Sequence, residues 1–434
     1  MKTAIQLVIQ NQLPAINHAA KVFFEDVCGL SLIIVSDFNV DDSLITLGYC
    51  ADNTSNHPNI KPCNFLEIDN ELTSIEMVDV DGVLFPFACS SDSLMPFDPI
   101  ALTWFLMLMP HEQMRKCDFD HHHRPVSQNT WLVKKNLHRL PLIDIAANVF
   151  FSALKLRFPA MQLPTRTPFF EPTFDIDIAF AHKAKSIAIH GLGTLALALK
   201  GDVGEIKNRI NVWRNTEIDP YDVFDELLDA LEEQNLKAVF FAMTANRSKN
   251  DRNNHYRSIE YRKLLKRLSE KHTVGIHPGY LAAENSQKFA LEKKRLEDII
   301  EKEVTHVRQH FLRQFIPEMW QTYIENGLSH DYSIGYATHD GYKVGTCMPY
   351  QAYDIALDKV LPITIHPFAL MDTALWRYQK STSEQMLEAT RQIKIHQKKY
   401  LSPISAVWHN YAMPYQSVEL EVFKKQILIF GHND

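Results

Sequence analysis

The chain has 434 residues, of which 46% are hydrophobic, and a formal net charge of −7 at pH 7. This length is typical of about two or three domains, or of a small domain followed by a barrel, and the apolar content suffices for a large core. The acidic balance and the lack of a long basic run argue against a nucleic-acid-binding protein. Six widely spaced cysteines without a C-x-x-C motif argue against a cysteine metal cluster and a disulfide framework.

The first residues do not have the pattern of an export or membrane segment. Lys2 is followed by a mixed stretch that contains glutamine and asparagine, without the apolar centre of a signal peptide. The longest apolar run in the first half, Ala101 to Met109, is too short to cross a bilayer. We therefore predict a cytoplasmic protein without a transmembrane segment, and the sequence leaves its oligomeric state open.

Residues 1–140 are predicted to form a small α/β domain of unknown role. Pro14 to Cys28 has the pattern of an amphipathic helix, with proline in its first turn and a glycine directly after its end. Leu30 to Val35 and Ser43 to Tyr49 favour strands that are separated by a polar turn. This alternation of short strands and a helix indicates a mixed α/β arrangement.

A histidine tract and a connector follow. His121, His122 and His123 are adjacent, so their side chains point in different directions, and a solvated loop is favoured over a metal-binding clip. Residues 141–167 are predicted to be a helical connector, with a helix from Leu142 to Phe158.

From residue 168 to residue 434, apolar strands alternate with helical segments, which indicates βα units and parallel pairing. The predicted strands are Leu236 to Phe241, Thr273 to His277 and His306 to Leu312. The predicted helices are Asp219 to Asn235, Ile259 to Lys271 and Lys288 to Val304.

The segment Thr173-Phe174-Asp175-Ile176-Asp177 carries the strongest chemical signal. Residues two apart in a strand face the same side, so the carboxylates of Asp175 and Asp177 would repel each other there. A bound metal cation would neutralise them, with one carboxylate as ligand and the other as general base. An Asx-type turn that caps the next helix remains the alternative.

Further polar residues follow the other predicted strands. They are the stretch Asn246 to Asp251, His277, and the pair Arg308 and His310. In parallel βα barrels, the carboxyl ends of the strands meet at one face, where active sites lie. We therefore expect these side chains to lie close to Asp175 and Asp177.

An ordered series of motifs resembles the polysaccharide deacetylase family (NodB homology, carbohydrate esterase family 4). The likeness is to a bacterial branch with a T-x-D-x-D opening and an additional, uncharacterised N-terminal α/β domain. It implies a distorted parallel (β/α) barrel from residue 168 to 434, preceded by the smaller domain. The matching stretches are Thr173 to Asp177, His182-Lys183, Asp219 to Asp222, Val239 to Phe241, Gly275 to Pro278, Arg308 to Arg313, Asp331 to Tyr336, Gly345 to Cys347, His366 to Phe368 with Met371-Asp372, and Trp408 to Asn410.

The resemblance implies a metal-dependent hydrolase that removes N-acetyl groups from a glycan or glycan precursor. By position in the motifs, Asp175 is the base, Arg308 orients it, and His409 is the general acid. Asp177 and His277 are implied as ligands of a divalent metal, with zinc as the expected ion.

The second motif departs from the family pattern. Leu281 stands where the family usually carries a further metal-binding histidine four residues after His277. His310 lies two residues after Arg308, on the same side of the predicted strand, and is the expected substitute. A histidine that is hydrogen-bonded under the barrel rim is the alternative for His310.

The predicted partner is an N-acetylated glycan or sugar precursor. Asp251, Tyr280 and Trp408 are the expected substrate contacts, although a plain polar loop is the alternative around Asp251. Two other functions remain open: a non-catalytic carbohydrate-binding relative with a degenerate metal site, and an amidohydrolase of a non-sugar amide.

Overall fold

A computed structural model describes residues 4–10, 12–38, 44–51, 57–63, 75–184 and 187–431. The N-terminal part contains a four-stranded parallel sheet in the order β2-β1-β3-β4. A separate antiparallel pair, β5 and β6, follows it. The strands of this part are β1 (Ala4–Ile9), β2 (Ser31–Val35), β3 (Ile45–Tyr49), β4 (Asn59–Ile60), β5 (Met77–Val80) and β6 (Val83–Pro86).

The helices of the N-terminal part cover its sheet and lead into the second half. The predicted helix from Pro14 is confirmed, but its second half is π-helical, from Val22 to Val27. The apolar run near residue 101 forms a wholly buried helix whose N-cap, Asp98, accepts hydrogen bonds from two backbone N–H groups. The helices are α1 (Pro14–Lys21), α2 (Pro99–Met107), α3 (Pro110–Gln113), α4 (Trp131–Lys134) and α5 (Leu142–Arg157).

The second half is built on a nine-stranded sheet in the order β12-β13-β11-β10-β9-β8-β7-β15-β14. All neighbours are parallel except β12 and β13. The parallel α/β arrangement is thus confirmed, whereas within the described residues no ladder joins the end strands β12 and β14 into a closed barrel. The strands are β7 (Phe170–Ile176), β8 (Val239–Ala242), β9 (Thr273–Ile276), β10 (His306–Val307), β11 (His330–Asp331), β12 (Tyr350–Asp354), β13 (Lys359–Ile365), β14 (Leu370–Met371) and β15 (Ile404–His409).

Helices alternate with these strands, and no helix in the described part of the chain is both long and apolar enough to cross a membrane. They are α6 (Ile187–Lys200), α7 (Val203–Trp213), α8 (Phe224–Glu233), α9 (Ile259–Lys271), α10 (Ser286–Ile300), α11 (Glu318–Glu325), α12 (Ser383–Tyr400) and α13 (Val418–Gly431). Short 3-10 turns occupy Ser127–Asn129, Tyr280–Glu284, His310–Leu312 and Asn410–Ala412, and a π-helical turn occupies Ala374–Tyr378.

Two boundaries differ most from the predicted ones. The helix expected from Asp219 begins only at Phe224, because the Asp219 carboxylate accepts hydrogen bonds from the backbone of residues 181–183 at 2.7 to 2.8 Å. The strand expected from His306 to Leu312 ends at Val307, since the chain turns at Phe311, which has a φ of 60°. Both changes place polar side chains around the same end of the sheet.

The two parts of the chain pack directly against each other. The hydroxyl of Tyr350 on β12 donates a hydrogen bond to the backbone oxygen of Met107 on α2 at 2.6 Å. The side chain of Gln113 donates to the backbone oxygen of Tyr353 at 2.7 Å. Buried apolar side chains from both sheets form one continuous cluster. The division at residues 140 and 168 therefore stays a prediction.

Candidate metal centre and active site

The candidate site lies at the carboxyl ends of neighbouring strands. Strands β7 and β15 pair in parallel with Asp175 opposite His409, so both side chains reach the same edge. Five of the predicted residues line one pocket of ≈ 90 Å³ at this edge. They are Asp175, Asp177, His277, His310 and His409.

One carboxylate and two imidazoles are grouped as metal ligands would be. One ligand atom from each of Asp177, His277 and His310 lies within 4.8 Å of the others. Nδ1 of His277 donates to the backbone oxygen of Arg308 at 2.7 Å, since a carbonyl can only accept. In the neutral ring, the lone pair is then on Nε2, which lies 3.0 Å from Oδ1 of Asp177 without forming a hydrogen bond.

His310 is the third member of this group and has its own supporting carboxylate. Its Nδ1 donates to Oδ1 of Asp251 at 3.1 Å, and its Nε2 lies 3.9 Å from Oδ1 of Asp177. Asp251 is fixed by Ser248, whose hydroxyl donates to it at 2.7 Å, and by the backbone N–H of Tyr280 at 2.8 Å. A carboxylate behind a histidine is the usual outer contact of a metal ligand.

The charge state of Asp177 also fits a cation. Burial opposes its ionisation, but His310, His277 and His409 outweigh burial and hold the pKa of this carboxyl well below its usual range. Its Oδ1 is buried and accepts no hydrogen bond in the described structure. An ionised oxygen and two imidazole nitrogens that face one another suit a divalent cation with mixed nitrogen and oxygen ligands, such as zinc.

Asp175 is held by a buried arginine. Nη1 of Arg308 donates to Oδ1 of Asp175 at 2.9 Å, and its Nε donates to the backbone oxygen of Tyr332 at 3.0 Å. The guanidinium is fully buried and lies over the ring of Phe241, 4.5 Å from the ring centroid. These contacts fix the direction of the carboxylate, whose second oxygen lies 3.7 Å from Nε2 of His409.

His409 is backed by a carboxylate for which the sequence predicts no role. Its Nδ1 donates to Oδ1 of Asp372 at 2.7 Å, and its backbone N–H donates to Oδ2 at 2.7 Å. Burial lowers the pKa of the His409 imidazole, but Asp372 outweighs burial, and together with Asp177 and Asp175 it raises that pKa to about 9. This upward shift favours the protonated imidazole, which suits a proton donor.

Comparisons with known proteins give one family match and several similar solved structures. Residues 5–159 match the model of a family of unknown function, DUF7033. Among curated proteins, none matches the chain.

Two solved structures are similar to this chain. One is a protein named as a polysaccharide deacetylase from Mycobacterium smegmatis, with 14% identity, a TM-score of 0.41 and coverage of 63% of this chain and 87% of that one. The other is a polysaccharide deacetylase from Bacillus cereus, with 15% identity, a TM-score of 0.29 and coverage of 60% and 86%. Since both TM-scores are below 0.5, the function has to be inferred from the site residues themselves.

None of the three expected substrate contacts is among the residues that line this pocket. Asp251 lies behind His310, and the hydroxyl of Tyr280 is hydrogen-bonded to His122. Trp408 is 1% exposed, and its indole N–H donates to Gln426 at 2.9 Å. Side chains alternate along a strand, so when His409 faces the pocket, Trp408 must face the core. The buried position of Trp408 therefore argues against a contact with the substrate.

Two positions of the metal-binding motif are explained by the backbone. Leu281 lies in the 3-10 turn after β9, and half of its surface is exposed to solvent. His310 lies in the turn after β10, and this turn places its imidazole near Asp177.

No role was predicted for Asp372 from the sequence, although a signal for it was present. Asp372 directly follows the short strand β14, as Asp177 directly follows β7. This position after a strand is the signal by which Asp372 could have been found in the sequence.

Proposed function

We propose that the protein is a metal-dependent hydrolase that removes N-acetyl groups from a glycan or glycan precursor. The observation that carries the proposal is one pocket that combines three functions. The possible ligand triad of Asp177, His277 and His310 lies beside an arginine-bound carboxylate and a histidine with a raised pKa. Hydrolysis of an amide needs an activated water, a stabilised carbonyl oxygen and a proton for the leaving amine.

The ligand triad would hold a divalent cation, with zinc favoured by the donor set. When bound, such an ion polarises the acyl carbonyl and makes a water more acidic. Asp175 lies beside the triad and accepts the proton of the attacking water. Arg308 holds Asp175 through its 2.9 Å hydrogen bond, so the carboxylate keeps one orientation throughout.

His409 supplies the proton that the leaving amine requires. Its Nε2 faces Asp175 across the pocket, while Asp372 holds Nδ1 and fixes the ring. Because an amide nitrogen leaves readily only as a neutral amine, a protonated imidazole at this position completes the reaction. Asp175 thus accepts the proton of the attacking water, and His409 supplies the proton of the leaving amine.

Substitution of Asp175 tests this assignment. Asp175→Asn keeps the size of the side chain but removes the base, so the release of acetate from N-acetylglucosamine oligomers should fall by roughly 10²- to 10⁴-fold. Asp229→Asn, on the exposed side of α8, is the matched control and should keep the parental rate. An Asp175→Asn protein that releases acetate at the parental rate would contradict the mechanism.

Metal removal separates the hydrolase from a carbohydrate-binding relative. Dialysis against a chelator should abolish acetate release, and added zinc should restore it. A protein that binds N-acetylglucosamine oligomers but never releases acetate, with or without zinc, would be a binder rather than an enzyme.

A further inference from the structure

The histidine tract belongs to a compact loop, residues 118–126, here named the histidine loop. Oδ1 of Asp120 accepts hydrogen bonds from the backbone N–H groups of His122 and Arg124 at 2.8 and 3.0 Å. Oδ2 of Asp120 accepts from Nε of Arg124 at 2.8 Å. The loop is closed at its base by a backbone hydrogen bond from Val126 to Asp118 at 2.9 Å. The tract is a loop, as expected, in which His121 and His123 are exposed and His122 is half-buried.

The histidine loop is docked on the turns that carry the candidate site. Nδ1 of His122 lies 3.0 Å from the hydroxyl of Tyr280, in the turn after β9. The His122 ring stacks on Phe311, next to His310, with the centroids 4.6 Å apart. The backbone N–H of Gln314 donates to the oxygen of His123 at 3.2 Å. The N-terminal part of the chain thus forms part of the site wall.

This docking brings an arginine into the catalytic pocket. Arg124 is 7% exposed and lines the same pocket as Asp175 and Asp177. Asp120 binds its Nε and one terminal nitrogen, and its guanidinium carbon lies 5.9 Å from the ring centroid of Tyr378. An arginine held in this way is already oriented, so it loses little conformational freedom when it binds a ligand.

A second arginine, from the C-terminal half of the chain, also lines the pocket. Arg377 lies in the π-helical turn after β14 and is exposed to solvent. Within the part of the chain that the structure describes, it has no carboxylate partner in an ion pair. A free cation at the mouth of a pocket is available to an incoming ligand.

The acidic residues of the pocket do not need these arginines. Asp175 is bound by Arg308 at 2.9 Å, and Asp177 faces the imidazoles of His277 and His310. Arg124 uses only Nε and Nη2 in its pairing with Asp120, and Arg377 lines the same pocket. Guanidinium groups bind carboxylates and phosphates by paired, charge-assisted hydrogen bonds.

We propose that Arg124 and Arg377 bind an anionic group, a carboxylate or a phosphate, on the N-acylated substrate. The inference rests on the proposed function for the position of the acyl group. It adds that the N-acylated substrate carries a negative charge. The N-terminal part of the chain then contributes specificity to the reaction through the histidine loop.

Binding to the metal-free protein tests this inference separately from catalysis. The probes are neutral N-acetylglucosamine, its 1-phosphate, its 6-phosphate and its C6 carboxylate, measured by calorimetry in a low-salt buffer without phosphate. At least one anionic probe should bind about tenfold more tightly than the neutral sugar, as expected for a charge-assisted hydrogen bond. The position and type of the preferred anion distinguish a phosphate from a carboxylate substrate.

Arg377→Gln should remove most of this preference, because it removes one of the two positive charges of the pocket. Arg377 is exposed, so its substitution should leave the core intact. Arg124→Gln should also reduce it, and circular dichroism would show whether that buried substitution preserves the fold. Arg391→Gln, an exposed arginine on α12 that pairs with Glu384 and Glu388, is the matched control and should keep the full preference.

The outcomes distinguish this inference from the proposed function. Equal binding of the neutral and all anionic probes, or a preference that survives in Arg377→Gln, would overturn the arginine assignment. Acetate release from neutral oligomers by the zinc-loaded protein would still support the hydrolase. Conversely, an Arg377-dependent preference in a protein that never releases acetate would support the anion site and contradict the hydrolase.

Discussion

Two groups of histidines lie in or next to the strands of the nine-stranded sheet, and they differ in the side chains that surround them. At the carboxyl ends of the strands, His277 and His310 face Asp177, and His409 is bound by Asp372. Each of these imidazoles therefore has a carboxylate within reach. This arrangement makes them candidates for metal binding and proton transfer.

The second group lies toward the amino end of β7, around Glu171. His306 stacks on His330, with the ring centroids 4.3 Å apart, and Nδ1 of His330 lies 3.0 Å from Nε2 of His366. Glu171 accepts a hydrogen bond from the hydroxyl of Tyr332 at 3.1 Å and lies 3.8 Å from His366. These imidazoles mainly contact one another.

The pKa values follow this difference. Burial lowers the pKa of His277, but the carboxylates of Asp175 and Asp177 raise it more, so the net shift is upward. Burial lowers the pKa of His306 to about 3, and the neighbouring His330 and His366 add to the effect. Close carboxylates thus distinguish the histidines of the candidate site from the histidines that pack on one another.

The largest expected contrast between the groups is in metal retention. His277→Ala removes one of three ligands, so bound zinc, measured by plasma mass spectrometry after desalting, should fall from stoichiometric to background. His330→Ala removes a histidine of the second group and should leave the zinc content unchanged. Unchanged zinc content in His277→Ala, or loss of zinc in His330→Ala, would contradict the assignment of the metal site to the first group.

The third ligand can be tested in the same assay. His310→Ala should lower the affinity for zinc, because Asp177 and His277 alone form a weak site. Full retention of zinc at equal affinity would exclude His310 as a ligand and leave the assignment of the other two intact.

The pH dependence of the reaction gives a second, smaller contrast. Asp372 is the main cause that raises the pKa of His409 to about 9, and activity should fall as His409 loses its proton above that pH. Asp372→Asn removes the negative charge, so the alkaline limb of the kcat profile should move to lower pH. The exposed variant Asp229→Asn should leave the limb in place. An unmoved limb in Asp372→Asn would mean that His409 does not donate the proton.

Much of the parallel α/β architecture could be predicted from the chain. The helix Ile259 to Lys271 is confirmed with both of its bounds, because it has a serine N-cap and a continuous apolar face. The strand from Thr273 is confirmed as well, although it ends one residue early. Local periodicity and capping specify these elements without help from the rest of the fold.

The missed features depend on contacts between residues far apart in the sequence. Asp219 resembles a helix start, but its carboxylate is used by the backbone of residues 181–183. Arg124 lies in a loop that becomes part of the pocket only when His122 packs on Phe311, 189 positions further along the chain. Sequence spacing does not reveal such contacts, whereas the candidate catalytic side chains could be proposed because they follow predicted strands.

The smallest expected effect concerns stability, and it tests the second histidine group. The pKa of His306 is lowered to about 3 in the folded chain, from its usual value of 6.5. The unfolded chain therefore binds a proton below pH 6.5 that the folded chain does not bind. The free energy of unfolding should be at its full value above pH 6.5 and fall as the pH drops toward 3.

His306→Phe keeps an aromatic ring against His330 but cannot bind the proton. Between pH 7 and pH 5.5, its free energy of unfolding should fall by about 1 kcal/mol less than that of the parent, since one unit of pKa shift corresponds to about 1.4 kcal/mol. Urea denaturation at both pH values measures this difference. His255→Phe, at an exposed position, should respond to pH as the parent does, because solvent reaches this imidazole in the folded chain. If His306→Phe lost as much stability as the parent, the buried histidines would not be neutral in the fold, and the contrast with the catalytic group would fail.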